Sequence, residues 1–218
     1  IAVGTSLATI IPTSVASARA HARKGAVDTE LFKLLAPGIA AGAVAGAFVA
    51  TLIDGRALGS IFGFVALFVA VDLVRPRGAT NANIEVRLPG RAPTSAAAGA
   101  IGFVSALMGI GGGSLTVPLL TYWGIAIHRA IGTSAALGLI IAVPAAVGYV
   151  IGGFDTANLP PGNIGYVNVF GFVLIAATTF FTAPAGTRIA HAISPRALRW
   201  AFATFLAITA IRLLSRLL

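Results

Sequence analysis

The ten residues Gly109-Ile110-Gly111-Gly112-Gly113-Ser114-Leu115-Thr116-Val117-Pro118 offer more chemistry than any other stretch of this chain. Four glycines within five residues cannot hold a continuous helix, since each costs about 1 kcal/mol relative to Ala. Yet the run is apolar on both sides, so the pattern predicts a helix over 95–108, a break, and a second half-helix starting near Gly113. A helix start carries unpaired backbone N–H groups with partial positive charge. With no Cβ at Gly111, Gly112 and Gly113, an anion can come close to those groups. Ser114 and Thr116 can add hydroxyl donors. Packing motifs instead space small residues three or four apart, and the spaced Gly42, Gly46, Gly63 and Gly138 are read that way. A bulky residue at Gly112 is accordingly expected to abolish function without preventing insertion.

Two further triplets carry hydroxyls, Gly132-Thr133-Ser134 and Gly4-Thr5-Ser6. Thr133, Ser134, Thr5 and Ser6 either cap helices or line the same cavity as the glycine break. Pro12, Pro144 and Pro184 fall inside apolar runs, where proline removes a backbone hydrogen bond and kinks the path. Thr13 and Ser14 stand beside the first of these kinks. His21, His128 and His191 are scattered along the sequence without carboxylate partners, which argues against a metal site. With no cysteine, no Ser-His-Asp arrangement and no carboxylate pair, neither an enzyme nor a cofactor is expected.

Positioning these residues falls to long apolar elements. The 218 residues are 57% hydrophobic and only 10% charged, against about 25% in soluble domains. That balance predicts an all-α polytopic membrane protein in a lipid bilayer. Seven apolar elements are read at 1–18, 31–53, 57–74, 95–123, 130–151, 164–190 and 195–218. The net charge of +9 lies between and at the ends of these runs. It therefore reports orientation through the positive-inside bias rather than a nucleic-acid partner. That bias is stronger if 95–123 dips in and returns as two half-helices than if it crosses the membrane.

The chain also repeats. Ala2-Val3-Gly4-Thr5-Ser6 returns as Ala130-Ile131-Gly132-Thr133-Ser134, an offset of 128. Ala45-Gly46 and Arg56-Ala57-Leu58 return as Ala185-Gly186 and Arg196-Ala197-Leu198, an offset of 140. The expected organisation is a first repeat over 1–78, a polar linker over 79–94 and a second repeat over 95–218. With a re-entrant 95–123 the two four-element repeats are inverted. The counterpart of 95–123 in the first repeat would precede residue 1, so the chain reads as seven elements of an eight-element protein.

Gly102-Phe103-Val104-Ser105-Ala106-Leu107-Met108-Gly109-Ile110-Gly111-Gly112-Gly113, then Val117-Pro118-Leu119-Leu120, then Ala130–Ser134, resembles the TauE/SafE family of sulfite exporters. The front of the chain, with Ala2–Ser6, Pro12-Thr13-Ser14 and His21-x-Arg23-x-Gly25, resembles the same family's first repeat. The resemblance implies a multi-pass transporter, in the inner or plasma membrane, of small anions such as sulfite or organosulfonates. The expected mechanism is alternating access, with the anion at Gly111–Gly113 and Ser114 and with Thr133, Ser134, Thr5 and Ser6 opposite. A passive anion channel and a non-transporting scaffold subunit are the other readings, and a homodimer is the candidate assembly.

Overall fold

The computed structural model describes residues 1–74 and 88–215. Most of the expected 79–94 linker lies outside these residues. Eight helices follow in order: α1 (Ala2–Ala22), α2 (Thr29–Leu52), α3 (Gly55–Val74), α4 (Arg91–Met108), α5 (Gly113–Tyr122), α6 (Ile127–Gly152), α7 (Val169–Ala192) and α8 (Pro195–Leu214). A two-residue antiparallel hairpin, Asn163–Ile164 with Val167–Asn168, precedes α7. The fold is therefore all-α apart from this turn. Ile164, expected to open a helix, pairs with Val167 instead, and Asn168 supplies the helix start by accepting from Gly171 N at 2.8 Å. The first element runs on past residue 18 to Ala22, because Arg19 and His21 at a helix C-terminus complement its dipole.

Helices α2, α6 and α7 are each long and apolar enough to cross a bilayer. Their outward faces carry large apolar side chains, among them Phe48, Val147, Leu174 and Phe181. The helices contain Pro12, Pro37, Pro118, Pro144 and Pro184 without being interrupted by them.

Small residues set the packing. A Cβ on Gly42 would fall on the carbonyl of Gly99, one on Gly46 on that of Phe103, and one on Gly102 on that of Ile39. Gly38 lies against Ser95 in the same way. These matched pairs climb both helices together, so α4 runs parallel to α2 with their backbones nearly touching. Helix α1 is antiparallel to α6: Gly4 meets Tyr166 and Tyr149, whereas Gly132 meets Ala26. Around these crossings Leu7, Leu35, Ile39, Leu120, Leu137 and Ile141 are fully buried. A smaller cluster joins α3 to α8 through Ala66, Val69, Ala70, Ala203, Leu206 and Ala210.

Helix α5 returns to the end of the bundle from which α4 sets out. It leads after four residues into α6, whose Thr133 meets Asp28 just before α2 begins. The stretch 95–123 thus enters and leaves on one side.

Replacing Gly42 with Ala is expected to lower the melting temperature, since its methyl has no room against the Gly99 carbonyl; overpacking of this kind costs about 1–3 kcal/mol. The same change at Gly55, where nothing lies within 4 Å of the added carbon, should leave the thermal melt of the purified protein unchanged.

Candidate functional site

The glycine break resolves its own backbone polar groups before it can bind anything. At membrane depth an unpaired carbonyl is costly. Helix α4 stops at Gly109, whose φ of 68° is left-handed and suits glycine. The Ile110 N–H donates back to Ser105 O at 3.1 Å. Ser6 Oγ donates to Gly109 O at 2.7 Å. Tyr149 OH reaches Ala106 O at 3.3 Å and Leu107 O at 3.4 Å. The end of α4 is thereby satisfied by side chains from α1 and α6.

The start of α5 is left open. Its N-cap is Gly112, with no side-chain cap, and the first intrahelical bond runs from Thr116 N to Gly112 O at 2.9 Å. The amides of Gly113, Ser114 and Leu115 are consequently the donors a helix start leaves over. Of these three residues Gly113 lines a cavity of about 440 Å³, together with Gly111 and Gly112. Helix α1 contributes Thr13, Ser14, Ser17 and His21; α7 contributes Ala183, Gly186, Thr187 and Ala190. Both sets follow helical spacing, so each is one face of its helix. Ser134 and Gly138 of α6 and Leu198 and Phe202 of α8 complete the wall. Among the described residues no Lys, Arg, Asp or Glu lines the cavity.

The structure separates the expected site residues into two groups. Gly111, Gly112, Gly113 and Ser134 line the cavity. Ser134 is 1% exposed, and its hydroxyl has no hydrogen-bond partner among the described residues. Ser114 is half-buried and outside the lining. Thr5, Ser6 and Thr133 are engaged elsewhere: Thr133 Oγ1 accepts from Asp28 N at 2.9 Å, and Thr5 Oγ1 accepts from Asn168 N at 2.9 Å. Gly112 is enclosed, since an added Cβ would lie 3.1 Å from Gly138 N and 3.2 Å from Ser134 O. A bulky residue there disturbs the α5–α6 contact as well as the cavity. Gly113 has nothing within 4 Å of its Cβ position.

The two threonine bonds are counterparts. Asp28 and Asn168 are the N-cap residues of α2 and α7, separated by the offset of 140, while Thr5 and Thr133 are separated by 128. Each threonine holds the cap of the helix that follows its counterpart. Sequence reasoning treated the Gly-Thr-Ser hydroxyls as equivalent, and only their partners distinguish Ser134.

Sequence reasoning also missed the histidines. Far from scattered, His21, His128 and His191 converge at one end of the cavity. His21 Nδ1 lies 3.1 Å from His191 Nε2, and the His128 and His191 ring centroids are 5.0 Å apart. Among the described residues no group of three His, Asp or Glu side chains is arranged to hold a metal ion. The polar stripe Thr13, Ser14, Ser17 and His21 was visible in the spacing of α1 as a hydroxyl-rich face on an apolar helix.

Comparison with known proteins finds relatives over nearly the whole chain. The family profile described as Sulfite exporter TauE/SafE matches residues 1–213. A probable membrane transporter protein of Haemophilus influenzae is 31% identical over 214 residues, covering 97% of this chain and 80% of the relative. A probable membrane transporter protein of Methanocaldococcus jannaschii is 25% identical over 206 residues, covering 91% and 73%. No solved structure matches the chain.

Thr133→Val and Thr5→Val each leave a part-buried backbone N–H without its acceptor, at a cost of about 1 kcal/mol. Because the two bonds are counterparts, thermal melts are expected to show similar losses for both, and a smaller loss for Thr133→Ser, which keeps the hydroxyl.

Proposed function

The chain belongs to the sulfite exporter TauE/SafE family of membrane transporters, and on that footing we propose that it carries small sulfur-containing anions, sulfite or organosulfonates, outward across the cell membrane. One observation carries this reading: the uncapped start of α5 borders a cavity also lined by Ser134, whose buried hydroxyl has no partner among the described residues. Backbone N–H groups at a helix start favour an anion, and a hydroxyl lining the same cavity can add one donor. The lack of a lining Lys or Arg suits a carrier, which must release what it binds. Discontinuous helices with such starts are a recurring device of secondary transporters.

The same reading takes the molecule as multi-pass, with a first repeat over 1–78 and a second over 95–218 in inverted orientation. Its support is the paired bonds Thr5–Asn168 and Thr133–Asp28, the paired glycine contacts Gly4–Tyr166 and Gly132–Ala26, and the antiparallel run of α1 against α6. Alternating access then rocks one half against the other around the break. Arg19, Arg23, Lys24, Lys33, Arg91, Arg129 and Arg196 stand at the end where α1 finishes and α2, α4, α6 and α8 begin. The positive-inside bias makes that end cytoplasmic.

The test is thermal stabilisation of the purified full chain by sulfite, thiosulfate and sulfoacetate, with acetate as control. A ligand at 100 times its Kd adds about 2.7 kcal/mol. Gly113→Val is expected to melt like the parent protein without ligand, because its Cβ position is open, and to lose most of the ligand shift. Ser134→Ala should weaken the shift severalfold. Full retention of the shift in Gly113→Val would remove the break from the site. No shift with any sulfur anion would favour the scaffold reading.

A further inference from the structure

The histidine cluster supplies none of the anion donors described above, yet its His21 lines the same cavity. It draws one residue from each of three helices: His21 from the last turn of α1, His128 from the first turn of α6 and His191 from the last turn of α7. These are all the histidines in the chain. His21 is 3% exposed and lines the cavity. It is the only lining side chain, among the described residues, of a type whose ordinary pKa lies near neutrality. The charge on the cavity wall is therefore set at this one place.

The geometry limits how many protons the cluster can hold. A hydrogen bond between two imidazole nitrogens needs one N–H and one lone pair. The 3.1 Å contact of His21 Nδ1 with His191 Nε2 is made by two neutral rings, or more strongly by one neutral ring and one cation. Two cations cannot make it, because both nitrogens then carry hydrogen. The pair spans α1 and α7, whose small and polar faces oppose each other across the cavity. Deeper in, Thr13 Oγ1 donates to Thr179 Oγ1 at 2.7 Å across the same two helices.

Burial first, then His191, Lys24 and His128, hold His21 below the ordinary imidazole range, so the cluster stays neutral until a negative charge offsets them. Lys24, in the turn after α1, is close enough to act on both His21 and His191. His128 approaches from α6. Of the acids near this end, Asp28 is held by Arg129 and Glu30 by Lys33. Arg19, Arg23 and Arg188 are the other cations on these ends of α1 and α7. Among the described residues of α8, Leu198 and Phe202 line the cavity.

We infer that the His21–His128–His191 cluster is a proton-binding site coupled to the anion cavity, so that anion and proton bind together. The inference rests on the proposed reading of the cavity as an anion site. An anion beside His21 favours the protonated cluster, and by linkage a proton on the cluster favours the anion to the same extent. His191 is a positioning residue: it supplies the lone pair or hydrogen that holds the proton on His21.

Two measurements on the full chain in lipid nanodiscs test it. Histidine-selective isotope labelling gives three NMR signals, assigned with His128→Gln and His191→Gln. The His21 and His191 signals are expected to titrate as a coupled pair, and His191→Gln should shift the His21 midpoint by at least threefold in proton affinity. Three independent titrations, with His21 unmoved by His191→Gln, would overturn the proton site. In the second measurement methanesulfonate, whose charge is constant over the range, is titrated at pH 8 and pH 6. The parent protein should bind it about tenfold more tightly at pH 6, and His191→Gln less than threefold more tightly. Equal binding at both pH values defeats the coupling and leaves the anion site standing. No binding at either pH defeats both. The comparison within the parent protein needs no variant to fold.

Discussion

Everything in this molecule follows from the rule that a backbone group buried at membrane depth must find a partner inside the protein. A continuous helix satisfies the rule by itself, but the break between α4 and α5 does not. The carbonyls it frees are met by Ser6 from α1 and Tyr149 from α6, which fixes where those two helices must lie. Once they are fixed, the open start of α5 has one direction to face, toward the cavity beside Ser134. The break then exposes donors to a ligand beside carbonyls of Ser105, Ala106, Leu107 and Gly109 that already have partners.

Close helix contact makes this arrangement possible. Lipid offers no hydrophobic drive between helices, so association depends on dense packing and on hydrogen bonds. The glycine crossings of α2 with α4 bring two backbones together along four successive contacts. The α1–α6 crossing does the same with Gly4 and Gly132, and it sets the two threonine bonds at its opposite ends. The proposed inverted repeat would explain why these devices come in pairs. It would also explain why one hydroxyl of the second triplet is left over: Ser6 has the Gly109 carbonyl to donate to, while the buried hydroxyl of its counterpart Ser134 has no partner among the described residues.

Much of the site was legible beforehand for a local reason. Four glycines in five residues break a helix wherever they stand, so the ends at Met108 and Gly113 followed from propensity. Asp28 and Asn168 cap α2 and α7 through equally local bonds that the sequence analysis does not anticipate, and the short hairpin at Asn163–Asn168 displaces the start of α7 from the expected 164. The polar stripe along α1 could have been found from its spacing, but was read only as far as Thr13 and Ser14 beside a proline.

What the sequence determined by itself was therefore membrane character, the number and approximate limits of the apolar elements, the position of the break and the existence of two similar triplets. These depend on composition and on interactions within a few residues. What the tertiary structure alone decided was which hydroxyls are committed and which is free, and that three histidines separated by as much as 170 positions share one cavity mouth. Both outcomes depend on how antiparallel helices align, and that alignment is set by the glycine contacts between helices. No interval along the chain encodes it.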